Sequence, residues 1–253
     1  MSKPVLLLDA GNSRLKWALA SQDGWLCEGV AEYDTLEPFA VTLLSHPPAS
    51  MALACNVAGP HTAQLVQELL SPLHIDWLRP SARQADLSNG YRDPAQLGAD
   101  RWAALIGAHA RSPGDTVVVV AGTAMTVDAL TEEGEFLGGV IVPGFNLMRQ
   151  ALAKGTADLG LPEGEVSDFP RATGEAIVNG ALLALVGAIE QMRMRLFARQ
   201  RRPVRVLLSG GDAPRLAPLL APMLAQALLT VDNLVLHGLH RLAFSPSDRK
   251  NTQ

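Results

Sequence analysis

The stretch Val5-Leu6-Leu7-Leu8-Asp9-Ala10-Gly11-Asn12-Ser13 decides how this chain is read. Four apolar residues in succession mark a short buried strand, and an acid followed by Gly, Asn and Ser halts it in a tight turn. Beyond the turn, Leu15, Trp17 and Leu19 recur at every second position as far as Asp23-Gly24, the period of a strand with one face buried. Trp25 to Val30 continues as a third strand, so the chain opens as a β-meander with a Gly/Asn/Ser corner at its first bend.

The same shape returns from Thr116: Val117 to Val120, the corner Ala121-Gly122-Thr123-Ala124, Met125 to Leu130, the turn Glu133-Gly134, and Phe136 to Val142. Gly11 matches Gly122 and Gly24 matches Gly134, which points to a diverged internal duplication. Between the meanders, breaker residues delimit helices over 61–70 and 99–110; after the second, helices are expected over 147–153 and 174–196. A buried strand over 204–208 runs into Ser209-Gly210-Gly211-Asp212 and a helix opened by Pro214, and a last amphipathic helix covers 233–242. The segment 162–170 reads as a mobile loop. The expectation is an α/β protein of two domains, 1–113 and 114–253, with the final helix free to pack back on the first.

Composition removes several function classes. Twenty-one Lys and Arg against 25 Asp and Glu leave a net charge of −4, which excludes a broad phosphate-neutralising surface, so no nucleic-acid partner is expected. Hydrophobic content of 48% with 18% charged residues excludes a disordered chain. Cys27 and Cys55 are too few for a disulfide framework and lack zinc-type spacing. The apolar run before Asp9 is too short for a signal peptide, and the run 181–189 falls well short of the roughly 18 residues a membrane span requires. A cytoplasmic location without membrane contact is the expectation.

No Walker loop, dinucleotide fingerprint, zincin motif or nucleophile elbow occurs. What remains is two strand-turn-strand corners of small hydroxyl, amide and glycine residues, plus the Gly210-Gly211 turn. Each corner alone is ordinary turn chemistry. In context, an acid ending a buried strand needs a partner, and a hydrated magnesium ion on a nucleotide is one. Gly11 would let phosphate approach the backbone while Asn12 and Ser13 donate; Lys16 is either a further positive charge or a solvated lysine. Asp100, before the apolar helix of Trp102, Leu105 and Ile106, is either a plain helix cap or a carboxylate kept ionised by the helix terminus and Arg101.

Taken in order, Asp9-Ala10-Gly11-Asn12-Ser13, Tyr91-Arg92-Asp93-Pro94, Gly98-Ala99-Asp100-Arg101, Gly122-Thr123-Ala124, the Gly138 to Gly144 run, Thr173 to Ile177 and Gly210-Gly211 resemble the type III pantothenate kinases. That family sits in the acetate and sugar kinase, Hsp70 and actin superfamily. The resemblance implies duplicated ribonuclease H-like domains with a central ATP cleft, and ATP-dependent phosphorylation of pantothenate, the first step of coenzyme A synthesis. It implies that Asp9, Ala10, Gly11, Asn12, Ser13, Arg14, Leu15 and Lys16 bind ATP together with Thr123, and that Asp9 organises magnesium through water. It implies that Tyr91, Gly98, Ala99, Asp100, Arg101 and Thr173 hold pantothenate and that Asp100 accepts the hydroxyl proton. Arg101 either props Asp100 or pairs with pantothenate's carboxylate. A homodimer is implied, with the long apolar helix after Thr173 as the place to look; that apolar face is equally well read as a buried core helix. One departure stands out: the acid the family carries two residues before the second-corner glycine, which helps bind potassium or ammonium, is Val120 here. Either weakened or altered cation dependence is expected, or an ion held by backbone and other oxygens. The competing readings are another phosphotransferase of the superfamily and a nucleotide-binding regulator without catalysis.

Overall fold

The computed structural model describes residues 3–155 and 163–245, which form two compact units. The first comprises residues up to Arg111, then Glu133–Phe136, and the chain from Asn233 onward; the second comprises Ser112–Glu132 and Leu137–Asp232.

In the first unit, β1 (Val5–Ala10), β2 (Leu15–Ser21) and β3 (Gly24–Ala31) form the expected antiparallel meander. Helix α1 (Glu37–Leu44) leads to β4 (Ala52–Asn56), and α2 (Pro60–Leu69) leads to β5 (Ile75–Trp77). β4 lies parallel to β1 and β5 parallel to β4, giving the order β3-β2-β1-β4-β5. Leu6, Leu8 and Ala10 turn one way into a core with Leu15, Trp17, Leu19, Phe39 and Val66. The alternation therefore sends Asp9 to the opposite face.

The short strands β6 (Arg83–Gln84) and β7 (Leu87–Asn89) precede α3 (Ala99–His109), and Glu135 and Phe136 pair with Ser88 and Asn89. Helix α3 is buried along nearly its whole length, from Arg101 to Ala108. The chain's last described helix, numbered α7 (Leu234–Phe244), lies against it. Two glycines set their approach: a Cβ on Gly107 would come within 2.6 Å of the Leu234 carbonyl, and one on Gly238 would overlap the Ala103 carbonyl. Any side chain at either position would push α3 off its seat and carry Asp100 with it.

The second unit repeats the plan. β8 (Thr116–Ala121) pairs antiparallel with β9 (Ala124–Leu130), β10 (Glu135–Pro143) lies beyond β9, and α4 (Phe145–Gly155) and α5 (Thr173–Gln200) follow. β11 (Arg205–Ser209) is parallel to β8; after α6 (Ala213–Leu224), β12 (Leu228–Thr230) is parallel to β11. The order β10-β9-β8-β11-β12 is that of the first sheet, strand for strand. A duplication read from glycine spacing thus reappears as shared topology.

Helix α5 has the length and hydropathy of a membrane-crossing segment. Its stripe of Val178, Leu182, Leu185 and Ile189 nonetheless sits in the core of the second unit with Val117, Val119 and Met125. The described part of the segment expected to be a mobile loop carries backbone hydrogen bonds to α5; Pro162 lies outside the described residues. Asn179, buried on α5, accepts from Ser167 N–H at 3.0 Å and donates to the Glu165 carbonyl at 2.8 Å, tying the loop to the helix. A buried amide satisfied by loop backbone holds that loop in place.

Candidate active site

Strand register builds the first corner. Asp9 stands opposite Lys16 on β2 and beside Cys55 on β4, so three neighbouring strands put an amine, a carboxylate and a thiol in one row on one face. The Cys55 thiol donates to Asp9 Oδ1 at 3.3 Å. Burial pushes the Asp9 carboxyl up from 3.8 to about 6, against the opposing pull of Lys16 and Cys55, and the Asp100 charge adds to the rise. Burial, with Asp9 and Asp100 adding to it, drives the Cys55 thiol well above its usual range, so it stays a protonated donor. The turn itself is anchored: Gly11 N–H bonds the Asp9 carbonyl at 3.1 Å, and the Tyr33 hydroxyl donates to the Gly11 carbonyl at 2.7 Å. Asn12, Ser13 and Arg14 are exposed beyond it, whereas Ala10 and Leu15 are buried and contribute backbone alone.

Asp100 occupies the second position of α3, two residues past the capping place, which Gly98 fills. Its Oδ1 accepts the Arg101 N–H at 2.8 Å. A Cβ on Gly98 would come within 2.6 Å of that same oxygen, so the glycine makes room for the carboxylate. The lowering expected from the helix terminus and Arg101 is present, but it is not the largest effect. Burial raises the Asp100 pKa and outweighs the lowering by the backbone N–H groups and the Arg101 charge. A carboxylate so placed is a stronger base than a free one. Since each acid enters the other's electrostatics or its neighbour's, Asp9, Cys55 and Asp100 form one cluster.

Arg101 is buried, donates from Nη1 to the Tyr91 hydroxyl at 2.7 Å, and lies 5.6 Å from the Tyr91 ring and 5.9 Å from that of Phe136. Tyr91 packs on Phe136 at 5.4 Å. Tyr91, Gly98, Ala99, Asp100 and Arg101 are therefore brought together around the start of α3, with the aromatic rings orienting the guanidinium.

In the second unit, three glycine segments meet where β8 and β11 end. Gly144 N–H bonds the Thr123 carbonyl at 2.9 Å, and a Cβ on Gly144 would overlap the Gly122 carbonyl. Gly210 has φ +100°, and its missing side chain lets the turn seat against Ala121, whose carbonyl accepts from Asp212 N–H at 3.1 Å. Thr123 is exposed at the tip of this corner, and Thr173 is exposed at the first residue of α5. Val120 is the fifth residue of β8, as Asp9 is the fifth of β1, and its register neighbours are Thr126 and Ser209.

A family model described as "Type III pantothenate kinase" matches residues 5–195. The chain belongs to the type III pantothenate kinase family. It is 45% identical over 246 residues to the type III pantothenate kinase of Laribacter hongkongensis, covering 94% of this chain and 98% of that one. Among solved structures it is similar to a Campylobacter jejuni protein described as a Baf family transcriptional activator, with TM-score 0.59, 20% identity, and coverage of 93% and 96%. It is also similar to a Sinorhizobium meliloti protein described as a 2-dehydro-3-deoxygalactonokinase, with TM-score 0.58, 15% identity, and coverage of 96% and 99%. At these identities the structural likenesses speak for the fold, that of the actin-like ATPases and sugar kinases.

Sequence reasoning about this type III pantothenate kinase family member missed Cys55, Tyr33 and Phe136. Cys55 closes the apolar run from Ala52 just before Asn56, the same strand-then-turn signal that singled out Asp9, and reading it as a strand parallel to β1 would have found it. Tyr33 and Phe136 carry no local signal, since both act through distant backbone or stacking partners.

Proposed function

We propose that Asp100 is the base of an ATP-dependent pantothenate kinase and that Asp9 serves the metal-bound phosphates. The observation that carries the reading is the space Gly98 leaves for a buried, base-strengthened Asp100 within the same electrostatic cluster as Asp9.

Phosphoryl transfer through a loose transition state asks for positioning and charge stabilisation more than for covalent help. Asp100 orients the primary hydroxyl of pantothenate and takes its proton as the bond from that oxygen to the γ-phosphorus of ATP forms and the bond from phosphorus to the departing ADP oxygen breaks. Tyr91 and Arg101 hold the substrate's polar groups, and Thr173 adds a hydroxyl. Backbone amides from Ala10 to Leu15, with Lys16, Thr123 and the side chains of Asn12, Ser13 and Arg14, receive the phosphates of ATP. No group of three or more acidic, His or Cys side chains able to cage a metal exists among the described residues. A largely buried carboxylate with one oxygen held by a thiol fits magnesium, which prefers few protein oxygens together with water and phosphate. Magnesium, when bound, neutralises charge on the phosphates, and Asp9 would hold it through water. A monovalent cation site is assigned near Val120 with its acid missing.

The protein is further read as a soluble cytoplasmic homodimer that meets through the outer face of α5, where Leu183, Met194 and Phe197 are exposed. A coupled assay with ATP, magnesium and pantothenate tests the catalytic reading. Asp100→Asn is expected to lose about 10²–10⁴-fold in kcat, the range for a positioned base, while binding ATP normally. Unchanged kcat in that variant would refute the assignment.

A further inference from the structure

Beside the C-terminal end of α3 and the second half of α7 lies a cavity of about 430 Å³ lined by Arg111, His237, His240, Arg241 and Phe244. It is separate from the cluster at the other end of α3: the helix rises about 14 Å from Asp100 to its last residue, His109, two positions before Arg111.

Its cations are under-neutralised. Arg111 has no carboxylate partner among the described residues; its Nη2 donates instead to His237 Nδ1 at 2.5 Å, leaving most of its five N–H donors for other acceptors. Arg241 gives Nη2 to the exposed Asp86 at 3.0 Å, but its Nε is buried and has no acceptor. A buried donor on a charged group without an acceptor is costly, and native proteins satisfy such groups with a water, an ion or a ligand.

The cavity is also prearranged. His240 Nε2 donates to the Ser21 carbonyl at 2.9 Å, which fixes that ring's orientation. Trp25 lies 5.0 Å from the His237 ring and 5.3 Å from that of His240, and Phe244 lies 4.8 Å from His240. Two guanidiniums are thus presented beside flat, immobilised rings.

We propose that this cavity is a second binding site, which takes the phosphate group of a small anionic metabolite. Arg111 and Arg241 provide the charge-assisted donors, and the imidazole and phenyl rings pack against the organic part. The site does not depend on the kinase reading, because none of its residues belongs to the catalytic cluster.

The test is titration of the full chain with inorganic pyrophosphate, following the imidazole resonances of His237 and His240 by NMR. Saturable shifts are expected, with affinity at least about tenfold weaker in Arg111→Gln and largely kept in Arg111→Lys. Lys16→Ala should leave them unchanged, which separates this cavity from the ATP corner. Absent shifts, equal shifts with sodium chloride at matched ionic strength, or undiminished affinity in both Arg111→Gln and Arg241→Gln would overturn the proposal. Equal affinity for citrate would overturn the assignment to phosphate.

Discussion

The thiol of Cys55 and the carboxylate of Asp9 meet at 3.3 Å on adjacent parallel strands, in a setting that lifts the acid to about 6. The thiol is one of the few features that favours the ionised form, so its loss should raise the acid further. We expect kcat/KM for MgATP, which reports the free protein, to fall about tenfold per pH unit below 6. In Cys55→Ala the midpoint of that fall should move to higher pH, and in Cys55→Ser it should stay close to the parent value. A pH-rate profile of the three proteins checks this; coincident acid limbs would remove Cys55 from the mechanism.

The same acid has a consequence for stability. Its folded pKa of about 6 exceeds the 3.8 of an exposed carboxyl, so the folded state binds the proton more readily than the unfolded chain does. The cost of keeping Asp9 ionised is complete above pH 6 and is relieved as pH falls from 6 toward 4. Asp9→Asn should therefore stabilise the protein by about 1–3 kcal/mol at pH 7.5, with the gain vanishing near pH 4, while turnover is lost. Chemical denaturation at the two pH values measures it. A destabilised variant at pH 7.5 would contradict the burial argument.

Gly98 makes the sharpest single-residue test of geometry. Its φ of −61° suits alanine, so Gly98→Ala should fold with little loss of stability. The new methyl would nevertheless meet Asp100 Oδ1 at 2.6 Å and turn the carboxylate aside. A displacement of this size is expected to cost about 10²-fold in kcat at nearly constant melting temperature. Steady-state kinetics beside a thermal melt distinguish this from general damage.

Much of this arrangement was legible in the sequence because it is local. The β1 corner, the β8 corner and the start of α3 are each written in consecutive residues, and the duplication was visible as glycine spacing. Register was less legible: nothing near Cys55 announces that β4 runs parallel to β1 and pairs Cys55 with Asp9. Helix α1 escaped notice because only Phe39 is buried along it, so it lacks the apolar periodicity that betrays a helix. The rise in the Asp100 pKa was not legible because helix-terminus and Arg101 effects are readable from neighbours in sequence, whereas burial is a property of the assembled fold. The same reason hides the contact between the 163–170 segment and α5: Asn179, which bonds Ser167 and Glu165, reads in isolation as a polar residue on a helix.

Val120 carries a prediction about ions. Its neighbours in register are Thr126, whose hydroxyl oxygen is buried without a partner, and Ser209. Oxygen donors stand beside a side chain that has none. Val120→Asp should place a carboxylate among them and give potassium activation that is stronger and saturates at lower concentration than in the parent. Initial rates across a potassium series, with sodium holding ionic strength, provide the readout. Strict potassium dependence in the parent protein, unaltered by the substitution, would mean that the valine is irrelevant to the ion.

The proposed dimer makes a prediction about the outer face of α5. Leu183 is 69% exposed, Met194 55% and Phe197 47%, and the ten residues between the first two put them about three helical turns apart, so they share a face. Gly180 and Gly187, with no neighbour near a would-be Cβ, are open positions that allow a second helix to approach closely. An apolar stripe of this kind on a helix whose other side is already packed in a core is a surface suited to a partner copy. Leu183→Arg leaves the core stripe untouched and should shift a dimer to monomer in sedimentation equilibrium at micromolar concentration, with the fold intact by circular dichroism. If the substituted protein sediments as the parent does, the α5 face is not where two copies meet.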